Sequence, residues 1–193
     1  MLKFQHVFLS LDMTSEQLEL LKYPIGKMQF PQQNAGTHLE EWKEDIAAFP
    51  QKLENLVKDL DHLQLDTPYR PDGWTVRQLV HHLADSHTHA LIRFKWTLTE
   101  DNPLIKAYDE KAFAELPDSR KAPVQISLDY LKALHAKWVF LIEGMTEADF
   151  QKTFRHPESG AEISLLKCLA MYSWHCRHHY AHIEHLLRRR DWM

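Results

Sequence analysis

Apolar residues at Leu39, Trp42, Ile46, Phe49, Leu53, Leu56, Val57 and Leu60 recur in steps of three and four, the spacing of one helical face. Pro50 lies inside this run. The period continues past it, so the pattern predicts one kinked helix rather than two. Thr37 and Glu40 have the spacing of a capping box at its start. A second helix is predicted from Thr75, with Gln78 as reciprocal partner, to about Leu98. A third starts at Ser127 and carries Leu128, Leu131, Leu134, Trp138, Leu141, Ile142 and Met145 on one stripe; a fourth is capped by Ser164 and runs to about Arg190.

The segments between these helices are punctuated by breakers. Residues 1–36 hold Pro24, Gly26, Pro31 and Gly36 and read as an irregular arm, apart from a short helix at 14–22 that Thr14 would cap. Residues 67–73 are a turn-rich connection. Residues 101–125, with Pro103, Pro117 and Pro123, form a long crossover with a short helix near 109–116, and 155–160 is a turn or a small hairpin. No long strand and no internal repeat is evident. The expected fold is all-α: a four-helix bundle over residues 37–193, a long crossover between its second and third helices, and the arm 1–36 in front.

Composition narrows the function classes. The chain has 193 residues, a formal net charge of −4 and two cysteines. That charge argues against a nucleic-acid partner, and Arg188-Arg189-Arg190 is better read as cations closing a helix at its carbonyl end. Two cysteines make no disulfide framework, and Cys168 and Cys176 are two helical turns apart, so a reducing cytoplasm is the expected location. No run approaches the ~18 apolar residues of a membrane span. Met13 opens a natural-looking start, so residues 1–12 read as an upstream extension.

The chemistry sits in the histidines. There are 14, and five of them fall in Trp174–His185 (WHCRHHYAHIEH). On a helical wheel His175 and His179 lie at the edge of and inside the apolar arc of Leu165, Leu169, Tyr172, Cys176, Ile183, Leu186 and Leu187. His182 lies just outside that arc, and His178 and His185 turn toward solvent or a neighbouring helix. An i,i+4 pair lets two imidazoles reach one ion, so His175 and His179 are the better pair and His178 with His182 the poorer. A third ligand must come from the second helix. There His87 shares the apolar face, His81 opposes it, and His82 and His89 lie on a polar flank with Gln78, Ser86 and Arg93. The wheel ranks His82 first without excluding His87 or His89. A buried polar network or a chance surface cluster would be the alternatives to a metal site.

At these residues the chain resembles a known family. The stretches Leu65-Asp66-Thr67-Pro68-Tyr69-Arg70 and Gly73-Trp74-Thr75-Val76-Arg77-Gln78-Leu79-Val80-His81-His82-Leu83-Ala84-Asp85-Ser86-His87 are similar to the YfiT-type metal-dependent hydrolases of the DinB-like superfamily. So are Tyr23-Pro24-Ile25-Gly26, Tyr108-Asp109-Glu110-Lys111 and Tyr172-Ser173-Trp174-His175 with His178-His179. The resemblance implies a DinB-like four-helix bundle, a homodimer and one metal per chain; for three imidazole donors a divalent ion is expected, zinc first and nickel second. It implies His82, His175 and His179 as the ligands, with His182 beside the metal rather than on it.

Three neutral imidazoles leave a coordination position open, as catalytic sites do. The expected function is hydrolysis of a small molecule by metal-bound water. The alternative, suggested by bacillithiol-transferase relatives, is an S-transferase whose metal activates a low-molecular-weight thiol. A second alternative is a bundle that binds metal without turnover. No separate nucleophile stands out: Ser86 and the two cysteines lack a base partner. Arg93 reads as a surface ion pair or, less simply, as a holder of a substrate carboxylate.

Overall fold

The computed structural model describes residues 13–193. Residues 1–12, read above as an extension, lie outside the described residues. Thr14 caps α1 (Ser15–Lys22) as expected, and the structure adds Gln17 as its reciprocal partner. The capping box predicted for Thr37 and Glu40 does not form. A 3₁₀ turn over Ala35–His38 precedes α2 (Leu39–Val57), so Thr37 is already inside a helical turn, and its hydroxyl donates to the Asn34 carbonyl at 2.8 Å instead.

α2 passes through Pro50 without a break. Proline has no N–H, so the carbonyl four residues earlier loses its helical donor. That carbonyl, on Ile46, accepts instead from His135 Nδ1 at 2.6 Å. This bond ties α2 to a later helix and, as shown below, fixes a tautomer.

Asp61 caps the one-turn α3 (His62–Leu65), and Thr75 with Gln78 caps α4 (Val76–Thr99) through the predicted box. The crossover holds two short helices rather than one, α5 (Glu110–Ala114), capped by Asp109, and α6 (Pro117–Lys121). α7 (Val124–Glu143) begins three residues before Ser127, directly after Pro123; Ser127 is instead buried inside it and bonds His81 Nδ1 at 2.7 Å. A further short helix, α8 (Glu147–Gln151), precedes a hairpin of β1 (Thr153–Arg155) and β2 (Glu162–Ser164), paired antiparallel with Phe154 opposite Ile163. Ser164 then caps α9 (Leu165–Arg189).

The four long helices α2, α4, α7 and α9 form the bundle. α2 packs against α7 and α9, and so does α4, which places α2 and α4 at opposite corners. The core between them contains Trp138, Phe94, Ile46, Leu53, Leu79 and Leu83, all fully buried. The crossover closes over the remaining side of α4. α5 and α6 pack on it, and Arg77 near its start pairs with Asp66 at 2.6 Å and donates to the Ala122 carbonyl at 3.0 Å. Sixteen of the 24 residues of α4 are therefore buried. This is why its wheel gave no clean polar face.

The turn Tyr69–Trp74 is held tight by the Gly73 N–H on the Arg70 carbonyl at 3.1 Å. A Cβ on Gly73 would come within 2.7 Å of Arg70 Cγ, so only glycine fits without a shift. Arg189 anchors the same turn from α9 by donating to the Tyr69 carbonyl. The turn thereby lays Trp74 and Tyr69 over the histidines of the bundle. Among the described residues, no helix is long and apolar enough to cross a membrane.

Candidate metal centre

α4 and α9 bring three imidazoles to one point. His175 Nε2 stands 3.3 Å from His82 Nε2 and 3.1 Å from His179 Nε2. Three ligands at about 2.0–2.1 Å from a tetrahedral ion would be spaced by about 3.3–3.4 Å; both His175 spacings are close to this, and all three donor atoms lie within 4.8 Å of one another, a set that one divalent metal could draw together. Among the described residues these three form one of two histidine groups with metal-ligand spacing; the other is His178, His179 and His182. His175 is the half-buried member of the first group and faces a cleft.

The proton on each ring can be assigned from carbonyls, which only accept. His135 Nδ1 must carry the proton it gives the Ile46 carbonyl. A neutral His135 then has a bare Nε2, which accepts from His87 Nδ1 at 2.7 Å. His87 Nε2 is bare in turn and accepts from His175 Nδ1 at 3.2 Å. His175 Nε2 is left with a lone pair aimed at the cluster. A second chain does the same for His179. His182 Nε2 donates to the Lys22 carbonyl at 3.1 Å, and His182 Nδ1 faces His179 Nδ1 at 3.4 Å, so the proton between them belongs to His179. His179 Nε2 is bare as well. Two lone pairs therefore converge at 3.1 Å with no proton between them, an arrangement that calls for a cation.

Burial keeps these rings neutral. It pushes His82 and His135 down to about 4 and His182 to about 3. It drives His87, His175 and His179 well below the usual 6.5, with neighbouring imidazoles adding to the effect. Neutral imidazole is the ligating form.

His135 carries a pH prediction. Its folded-state value lies below the unfolded one, so above about pH 6.5 both states are neutral and the ring is harmless to stability. As pH falls from 6.5 toward 4, the unfolded chain takes up a proton that the folded chain refuses, and stability drops by about 1.4 kcal/mol per pH unit from this group. Denaturant titrations of wild type and His135→Gln between pH 7 and 4 should show the steeper loss in wild type; parallel curves would contradict the assignment.

The remaining sequence candidates fall into place around this centre. His87 is fully buried but gives both nitrogens to other histidines, so it is not a member of the cluster. His81, placed by the wheel opposite the apolar face, is buried by the crossover and bonds Ser127 and the Ala122 carbonyl. His89 stacks flat on Tyr108 at 4.1 Å. His178 is buried rather than solvent-facing. The arm lies over α9, with Tyr23 near the His178 ring and Gly26 accepting from Trp174 Nε1, cover that a wheel of α9 alone does not show. Trp74 packs 4.6 Å from the His82 ring and Tyr69 stacks 4.3 Å from His182, roofing the cluster.

Cys168 and Cys176 are free and buried. Burial pushes the Cys168 thiol up to about 12 and Cys176 well above its usual value, so neither supplies a thiolate. Arg93 is no surface ion pair: it is 8% exposed, lines the cleft beside His175, and its Nε has no partner. Sequence reasoning missed His135 altogether. Its signal was indirect, a proline inside a periodic helix that leaves a carbonyl in want of a donor.

Comparison with known proteins agrees with this architecture. A family model described as the DinB superfamily matches residues 45–183. A protein of Oceanobacillus iheyensis named "Putative metal-dependent hydrolase" is 50% identical over 171 residues, 89% of this chain and 98% of its own. One of Bacillus pumilus with the same name is 48% identical over 172 residues, again 89% and 98% of the two chains. The solved structure of YfiT from Bacillus subtilis, described as a probable metal-dependent hydrolase with an unusual four-helix bundle topology, superposes with a TM-score of 0.87 at 44% identity, covering 90% of this chain and 99% of that one. By family model, sequence and fold together, the chain belongs to the DinB superfamily.

Proposed function

We propose that this protein is a metal-dependent hydrolase of a small molecule, with one divalent ion, zinc or nickel, held by the Nε2 atoms of His82, His175 and His179. The observation that carries the proposal is the pair of bare Nε2 atoms converging at 3.1 Å, each made bare by its own hydrogen-bond chain. A divalent ion held by these three rings would supply Lewis acidity and make water a nucleophile near neutral pH.

The chain's own residues hold the rings and shape access. His87 and His182 keep the Nδ1 protons of His175 and His179 engaged, so that both rings present Nε2. Trp74 and Tyr69 keep solvent off the far side. The near side opens on a cleft of about 760 Å³, room for a small molecule, with Ser86, Tyr108 and Tyr172 on its walls. Burial pushes Tyr108 up to about 12, so its phenol remains a hydrogen-bond donor at neutral pH. With both thiols suppressed, the attacking group must come from water or from a second substrate. His182, engaged at both nitrogens, does not fill the open position, which speaks for turnover over mere metal storage.

The test is a screen of ester and amide substrates with zinc- and nickel-loaded protein, beside a parallel screen of a thiol with electrophiles. We expect hydrolysis that a chelator stops and that His175→Ala lacks. Thiol conjugation without hydrolysis would replace this reading by the S-transferase. Silence in both screens at full metal loading would leave a metal-binding bundle without turnover.

A further inference from the structure

Arg93 is the one charged side chain buried beside the proposed centre, and among the described residues it forms no ion pair. It is 8% exposed, its Nε is buried without a partner, and its single side-chain hydrogen bond is a long one of 3.4 Å from Nη1 to the Tyr172 hydroxyl oxygen. The Tyr172 hydroxyl is already committed as donor to the Ser86 carbonyl. Four groups that feel the guanidinium are uncharged at neutral pH: burial raises the pKa of Tyr172, of Tyr108 and of Cys168, and lowers that of His89. A buried guanidinium without a counter-charge is costly, and no structural gain accounts for it here. It shares the cleft with His175.

We propose that Arg93 is the anion-binding group of the substrate site, and that the substrate carries a carboxylate which pairs with its fork while the reacting end lies at the histidine cluster. The proposal rests on the metal reading only for where the reacting end lies. A guanidinium presents parallel N–H donors that match the two oxygens of a carboxylate. One arginine balances one negative charge. Apart from Arg93 the cleft wall carries Asp109, Glu110 and Glu158 against Lys111, so a singly charged carboxylate meets less repulsion there than a dianionic phosphate. The Asp109 carboxylate is engaged elsewhere, capping α5 through the Lys111 and Ala112 N–H groups.

The experiment uses ω-mercaptoalkanoates of two to five carbons and their methyl esters as probes, on metal-free and zinc-loaded protein. Affinity is read by titration, and the Arg93 Nε–H resonance is followed by ¹⁵N NMR. For at least one chain length the acid should bind about tenfold to a hundredfold more tightly than its ester and shift that resonance. Arg93→Met should erase the preference without lowering the melting temperature, since it removes an unpaired buried charge. Arg93→Lys should keep part of it. Equal binding of acid and ester at every length, or a preference that survives Arg93→Met, would overturn the proposal. Inorganic phosphate binding more tightly than every acid would overturn the carboxylate assignment. Failure to take up zinc, with the acid preference intact in metal-free protein, would sink the metal reading and leave Arg93 standing.

Discussion

His175→Ala is expected to weaken metal binding by roughly two to three orders of magnitude, the share of one ligand in a site whose total is about 10–16 kcal/mol. His175 is the ring whose Nε2 approaches both others, at 3.3 and 3.1 Å, so its loss leaves His82 and His179 without the ligand between them. The fold should survive. The ring is half-buried beside the cleft rather than sealed in the core, so its removal opens onto existing space. Competition against a chelator of known affinity measures the loss. His185→Ala, on the same helix but in neither histidine group, should bind metal as wild type does. Equal affinity of His175→Ala and wild type would mean that the ion sits elsewhere.

His87→Leu is expected to weaken metal binding by about tenfold to a hundredfold although His87 touches no metal, as replacing the partner of a ligating histidine typically does. The substitution removes the acceptor that holds the Nδ1 proton of His175, and it strips His135 Nε2 of its donor. The His175 ring is then free to protonate at Nε2, the atom the ion needs. Stability should fall too, by about 1–3 kcal/mol for each buried polar atom left alone, partly offset by the apolar side chain. His135→Leu should show a weaker version of the same effect on metal affinity, being one link further away. An ion bound as tightly in His87→Leu as in wild type would show that the chain of imidazoles does not set the tautomer.

Much of this could be read from the chain. The bundle followed from four amphipathic runs; Thr14 caps α1 as expected, and of the two predicted capping boxes the one of Thr75 with Gln78 formed as spaced. The face of α9 also came out clearly, because that helix has one strongly apolar side and its i,i+4 histidines fall at the edge of it. The wheel failed on α4 for a physical reason. Crossover helices α5 and α6 cover its outer side, so His81 and Arg77 are buried along with Leu79, and periodicity carries no directional signal over residues 76–84, which are buried all round. Short elements were lost differently. Asp61 with Gln64 and Thr146 with Asp149 carry the capping signature, but α3 and α8 are too short for an apolar period to show. Thr37 misled because local spacing cannot show that a 3₁₀ turn has already begun at Ala35. The partners of the candidate ligands were the least legible. His135 lies 48 residues from His87, and the Ile46 carbonyl that anchors it is set free by a proline on a third helix.

The most direct test of the central claim is anomalous diffraction, at the zinc edge, from crystals of the zinc-loaded protein. A single peak per chain about 2.0–2.1 Å from the Nε2 atoms of His82, His175 and His179 is the predicted result. A peak among His178, His179 and His182 instead, or none near either group at full zinc loading, would contradict it.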